Sequence, residues 1–320
     1  MERMKCWSDY RKLAEYFRPF GRETILLEYL HNELEKYADE CFVDTYGSLI
    51  VHQKGPGKRV MISAQADVPT VLITYIETDR TGRFLMTGKG NCKIEEGSRI
   101  CFGDHSFGTV VFDSNCAGES DLQRMRIKPE GAALHVGDKG ILSGDLCIND
   151  GKIEGPHSGI AVGCIALMEL VKAGCRKDLD LYYVFSVGSE AELISQRGVM
   201  CAAFWIKPDV GISIETFAAN SDQAVPCKGP VVMLKDEHAV LRRNMRDIIL
   251  SSAQEVQIAL QYAALDETSR ETALYHYQCV GAGACTLAFA VKESATVKET
   301  ASLDDCNQCI VVIKKLIEKV

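Results

Sequence analysis

VMISAQAD (residues 60–67) decides the reading of this 320-residue chain. It is a short, mostly apolar run that ends on an amide and a carboxylate, Gln65 and Asp67. Two later runs repeat the form: LYYVFSVGSE (181–190) ends on Glu190, and DVGISIET (209–216) carries Glu215 near its end. Runs of this kind read as buried parallel strands. In open α/β sheets, ligands and metals bind outside the carboxyl ends of the strands. The three polar ends therefore converge on one candidate site.

Working outward, Leu26, Leu27, Leu30, Leu34 and Tyr37 recur at helical spacing and predict one buried stripe. From residue 71 the pattern changes to short β-rich runs (VLITYIE, RFLMTG, SRICFG, GTVVFD, AALHV) separated by turn clusters, which suggests a small all-β barrel. GILSGDLCINDGKIEG (140–155) returns to the first architecture, and IAVGCIALMELVKAG (160–174) reads as a buried helix stopped by Gly174. A helix is predicted over 239–263, a short edge strand over SATVKETAS (294–302), and a closing helix over 303–319. Ser302 and Asp305 fit the capping-box pattern at the start of that last helix. The expected organisation is an α/β core of residues 1–70 plus 151–320, interrupted by a β-barrel insert at 71–150.

Composition narrows the function classes. A net charge of −8 without a Lys/Arg run excludes phosphate-backbone binding, so no nucleic-acid partner is expected. No stretch of about 18 uncharged apolar residues predicts a membrane span. The amino-terminal MERMKCWSDYRKLAEYF has no signal-like apolar region and reads as an amphipathic helix. Fourteen cysteines lie mostly in apolar runs, below the density of a disulfide scaffold, and predict a reducing cytoplasm.

GRETILLEYLHNELEKY (21–37), VDTYGSLIV (43–51), VMISAQAD, GILSGD, GIAVGCIALMEL (159–170), LYYVFSVGSE, KPDVGISIET (207–216), CKGPVVMLKD (227–236) and VGAGA (280–284) follow in one order. Taken together they resemble the glutamyl and deblocking aminopeptidases, a dinuclear metallo-aminopeptidase family (M42) of the tetrahedral type. That resemblance implies a zinc-peptidase-like α/β/α core with a mostly parallel central sheet and a barrel insert serving as lid and assembly domain. It implies peptide substrates and self-assembly from dimers up to dodecamers. It also implies two divalent metals (zinc, cobalt or manganese) about 3.5–4 Å apart, which lower the pKa of a bridging water and polarise the peptide carbonyl.

Residue by residue, the resemblance implies a degraded centre. The family's first metal-binding His falls on Gln65, with its companion Asp kept as Asp67. The bridging Asp falls on Gly159. The Glu-Glu pair becomes Ser189-Glu190, leaving a serine at the general-base position. The next ligand, Asp in relatives, is Glu215, and the final His falls on Glu299. The glycine-rich pocket segment becomes Val280, Gly281, Ala282 and Gly283. Two dications about 4 Å apart repel by roughly 16 kcal/mol at an effective dielectric near 20, and Gly159 supplies no anion to offset that. Loss of a positioned general base alone costs about 10²–10⁴-fold in rate.

Structural readings stand beside these roles. Asp67 reads as a strand-end carboxylate bonded to the following turn or to the Gln65 amide. Glu190 and Glu215 divide between site ligand and solvated acid, and Glu192 is an alternative pocket carboxylate. His157 reads as an exposed loop histidine rather than a ligand. Cys306 and Cys309 form a CxxC within a helical pattern that reads as buried, and Cys279 with Cys285 gives no close second pair for a Cys₄ zinc site. Three functions follow. The favoured one is a family member with impaired catalysis, holding no metal or one weakly bound metal. The second is an active aminopeptidase with a remodelled site, one metal being held by Gln65, Glu190, Glu215 and Glu299. The third is a non-catalytic peptide-binding or assembly subunit, or a purely structural one.

Overall fold

The computed structural model describes the chain except residues 1–9, 14–15, 17–18, 88–92, 104, 113–120, 175–177, 189–196, 221 and 266–281. Helix α1 (Thr24–Leu34) precedes strands β1 (Glu40–Val43), β2 (Leu49–Gln53) and β3 (Arg59–Gln65). Next come β4 (Val71–Ile76), β5 (Gly82–Met86), β6 (Arg99–Phe102), β7 (Phe107–Phe112), the short α2 (Asp121–Arg124), β8 (Met125–Glu130) and β9 (Lys139–Ser143). They are followed by β10 (Cys147–Asn149), β11 (Lys152–Glu154), α3 (Ser158–Ala173), β12 (Asp180–Ser186), α4 (Arg197–Ile206) and β13 (Val210–Ala218). The chain closes with β14 (Val231–Lys235), α5 (Arg243–Glu255), β15 (Gln261–Ala264), β16 (Gly283–Lys292), β17 (Thr300–Ser302) and α6 (Leu303–Ile317).

The main sheet runs β1-β2-β12-β3-β13-β16-β17-β11-β10, with β14 also on β16 and β15 on β14. Its centre is parallel, β12 on β3, β3 on β13 and β13 on β16. The three runs that opened the sequence reading are thus neighbours, and their carboxyl ends share one edge of the sheet. Strand alternation sorts side chains onto two faces. Val60, Ile62 and Ala64 of β3 and Leu181, Tyr183 and Phe185 of β12 join α1, α3, α5 and α6 in the larger core. Met61, Tyr182 and Val184 point the other way, onto Val199, Ala202, Ala203 and Ile206 of α4. The architecture is α/β/α, and α3, apolar nearly all round, is its buried spine.

The insert closes as β4-β5-β8-β7-β6-β9, around Ile73, Ile100, Phe102, Val110 and Ile127. The barrel strands end at Ser143; β10, within the span read as insert, pairs with β11 in the main sheet.

Three local expectations change. The helix predicted over 239–263 is only α5, because the apolar residues after Glu255 turn at Gln257 (φ 57) and enter β15 against β14. Ser302 does cap α6, its hydroxyl accepting the Asp305 N–H at 3.2 Å. The Asp305 carboxylate does not complete a capping box; it accepts the N–H groups of Cys227 at 2.6 Å and Gly229 at 2.9 Å. His157, read as exposed, is 7% exposed and holds a left-handed backbone (φ 57) ahead of α3. Cys306 and Cys309 are buried in α6, where burial pushes the Cys309 thiol up to about 12.

At the far end of the sheet His52 is buried between two carboxylates, Nδ1 3.2 Å from Glu40 Oε2 and Nε2 2.7 Å from Asp180 Oδ1. The Tyr182 ring stacks on it at 3.9 Å, and the Tyr182 hydroxyl donates to Asp180. Burial alone would raise the Asp180 carboxyl; the bonds from His52, Gly55 N–H and Tyr182 outweigh it and hold the group low. A depressed carboxylate contributes stability above the ordinary carboxylate range and loses it as pH falls through the depressed value. Asp180→Asn therefore lowers stability by about 1–3 kcal/mol at neutral pH. In urea unfolding the gap to the wild type narrows as pH drops below about 4.

Candidate active site

Seven residues line a cleft at the carboxyl ends of β3 and β13: Gln65, Gly159, Ile160, Gly163, Ile214, Glu215 and Thr216. Two strands and the first turns of α3 supply them all. Gln65 and Glu215 are half-buried at the rim, and Asp67 is fully buried behind them. The Gln65 amide donates to the backbone carbonyl of Asp67 at 2.9 Å. Glu215 Oε1 accepts from the Ser213 hydroxyl at 2.9 Å, and Ser213 meets the Thr286 hydroxyl at 2.7 Å. These hydroxyls share the sheet face from which Glu215 projects, and they orient it.

The floor of the cleft is set by Gly159. A Cβ built there lies 2.4 Å from Thr216 Cγ2 and 3.1 Å from both Glu299 Oε1 and Val291 Cγ1. The Gly159 N–H donates to Glu299 Oε1 at 2.7 Å, and the Ala295 N–H donates to Glu299 Oε2 at 2.8 Å. Glu299 is 6% exposed. Burial pushes its carboxyl up, opposed by the bonds from Ala295, Gly159 and Ser294.

Gln65, Gly159, Glu215 and Glu299 are thus brought together, although they lie far apart in the chain. Ala282 and Gly283 are not with them: Ala282 packs in the α4-side cluster, and Gly283 pairs with Val210 at the start of β13, away from the Glu215–Ala288 register. Ser189, Glu190, Glu192, Cys279, Val280 and Gly281 lie outside the described residues. The sequence reading missed Thr216, Ser213, Thr286 and Tyr46. Ser213 had a signal, the period-two spacing that puts it on the face of Glu215. Tyr46 had none; its ring and hydroxyl pack where a Cβ on Gly188 would lie, at 2.7 Å, just ahead of Ser189.

The M42 glutamyl aminopeptidase profile matches residues 47–312. The chain belongs to that family. A relative from Acetivibrio thermocellus, whose name assigns it provisionally to the aminopeptidases, is 26% identical over 335 residues and matches 100% of both chains. Lysyl aminopeptidase of Pyrococcus furiosus is 22% identical over 351 residues, covering 99% of this chain and 98% of the relative. The fold matches a TET aminopeptidase from a marine-sediment thaumarchaeote with a TM-score of 0.90 at 20% identity, over 99% of this chain and 97% of that one. It also matches the TET1 peptidase of Pyrococcus horikoshii, described as assembling into a tetrahedron or a large octahedral shell, with a TM-score of 0.82 at 20% identity over 97% and 98%.

M42 peptidases are metal-dependent, yet the described residues here do not fit a bridged pair of ions. Position 159 carries no ligand and has no room for one. Both Glu299 oxygens accept backbone N–H groups, and Gln65 turns its amide onto its own strand end. Among the described residues, no group of three or more His, Cys, Asp or Glu side chains could hold a metal ion. The tightness at 159 is itself testable. Gly159→Ala costs about 1–3 kcal/mol by overpacking, and Thr216→Ser, which removes the opposing methyl, restores most of that in a denaturant double-mutant cycle.

Proposed function

We propose that this M42 chain keeps the aminopeptidase scaffold and a peptide-sized approach to the strand ends, but not the family's dinuclear hydrolysis. The observation that carries the reading is position 159, where a glycine without space for a side chain stands in place of the bridging carboxylate. The donor types agree with it. Gln65 offers an amide where the resemblance calls for a His, Glu215 and Glu299 offer oxygen only, and the resemblance puts a serine, Ser189, at the general-base position. Any residual metal would be single, weakly held and of the hard, oxygen-preferring kind. At the cleft, the Ser213 hydroxyl fixes one oxygen of Glu215, and this carboxylate is the group assigned here to pairing with a cation such as the amino terminus of a peptide.

Elemental analysis after dialysis against Mn²⁺, Co²⁺ or Zn²⁺ is expected to give less than one metal per chain. Turnover of aminoacyl chromogenic substrates is expected to lie at least about 10²-fold below that of a family enzyme. Stoichiometric metal, with turnover abolished by Glu215→Ala, would sink this reading in favour of a remodelled active enzyme. Peptide binding by the metal-free protein, lost in Glu215→Lys, supports a binding role over a purely structural one.

Assembly is the second part of the proposal. Solved relatives include a dodecamer and the tetrahedral or octahedral shells noted above. The barrel here displays Tyr75, Leu85 and Val136 at 55%, 63% and 63% exposure, and we assign the barrel, residues 71–143, to homo-oligomer formation and to cover of the cleft. Light scattering should then give a dimer or larger, with Leu85→Glu shifting the mass downward. A reducing cytoplasm fits the nine described cysteines, all of them free thiols.

A further inference from the structure

Helix α3 begins at Ser158 with no side-chain cap from its own N-cap residue, His157. A helix start leaves N–H groups without intrahelical partners and a partial positive charge. In a buried site, both need an anion or acceptor. The resemblance places the family's bridging aspartate on the second residue of this helix, and here that residue is Gly159. The acceptor comes instead from 140 residues away: Glu299 Oε1 takes the Gly159 N–H at 2.7 Å. Its other oxygen takes the N–H of Ala295 at 2.8 Å, in a turn where Glu293 and Ala295 both hold left-handed backbones (φ 50 and 66). The Glu299 backbone joins the same tie, its carbonyl accepting the Gly155 N–H at 3.0 Å and its own N–H reaching Thr296 O at 3.3 Å.

We infer that Glu299 is a built-in structural anion that caps α3 and clamps the 293–299 turn, so that the seat of the family's bridging carboxylate is closed by the chain itself. This rests on the reading of a chain without the dinuclear centre and extends it: the site is rebuilt rather than merely stripped. Two geometric facts support it. Thr216 Cγ2 and Val291 Cγ1 leave no space for a side chain at 159, and Glu299 Oε1 lies 3.1 Å from where its Cβ would be. A carboxylate whose two oxygens each accept a main-chain N–H meets the needs of buried backbone donors without a metal.

The experiment follows thermal unfolding and hydrogen exchange of residues 155–163 in the full chain, for wild type, Glu299→Ala, Glu299→Gln and Gly159→Asp, each with EDTA and with Zn²⁺ or Mn²⁺. Glu299→Ala is expected to lower Tm by at least about 5 °C and to speed exchange at the start of α3 by at least about tenfold. Glu299→Gln, which keeps one acceptor oxygen but turns an NH₂ toward one of the two N–H groups, falls between. Wild-type Tm is expected to be the same with EDTA and with metal, and Gly159→Asp to lose stability without regaining it when metal is added. If metal raises the wild-type Tm and Glu299→Ala abolishes the rise, Glu299 is a ligand and the inference is overturned. An unchanged Tm and unchanged exchange in both Glu299 variants overturn it as well. Peptidase turnover in a wild type whose Glu299 behaves as a cap would overturn the functional reading and leave this one standing.

Discussion

Helix α3 lies against β13 as closely as it does because residue 159 has no side chain. With the Thr216 methyl 2.4 Å from where a Cβ would project, the contact is backbone against side chain with nothing between. A Cβ built on Gly163, one turn on, would lie 4.0 Å from the Ile214 carbonyl oxygen. The depth at which α3 sits decides the rest. It lets Val162, Ile165, Ala166 and Leu170 fill the space over β3 and β12, brings α6 onto its outer side, and sets the floor of the cleft. A fully buried helix of this kind tolerates little change in volume, because protein interiors are packed like molecular crystals. The same glycine that gives the core its fit leaves position 159 without a side-chain donor at the floor of the cleft.

The polar groups around the cleft divide by what holds them. Glu299 is bound by amides and belongs to the framework. Glu215 accepts from the Ser213 hydroxyl of its own strand, which meets Thr286 on β16. Asp67 is buried without exposure at all. Glu299 is thus tied in under α3, whereas Gln65 and Glu215 line the cleft at β3 and β13.

Much of the scaffold was legible in the residues. VMISAQAD, LYYVFSVGSE and DVGISIET declare their strands by apolar content and their place in the sheet by polar ends, and α3 declares itself by length and its terminal glycine. Of the positions that the resemblance singled out, Gln65, Gly159 and Glu215 line one cleft, and Glu299 bonds the Gly159 N–H. What was not legible depends on partners far along the chain. Asp305 looks like half of a capping box, yet the amides of Cys227 and Gly229 compete for its oxygens and win. The residues beyond Glu255 carry helix-compatible apolar spacing, but strand pairing with β14 overrides it, as short apolar runs permit. His157 looks like a loop histidine because nothing local reveals that its left-handed turn is packed under the helix start. Ala282 and Gly283 match a pocket motif in order but enter β16 too early to reach the cleft.

The barrel interrupts the chain between β3 and the strands that complete the main sheet, which would ordinarily make β3 a poor partner for anything downstream. Its first and last strands, however, are neighbours: Val71 pairs with Gly140 and Leu72 with Lys139. Entry and exit of the excursion are thereby held side by side. The entropy of closing a loop grows with the number of free residues in it, and once the barrel's hairpins have formed, the core sees a connection only a few residues long. Three of the six strand pairings within the insert join successive strands, the local kind that forms quickly. The insert therefore works as a self-tying knot in the contour of the chain, shortening it before β12 and β13 seek out β3.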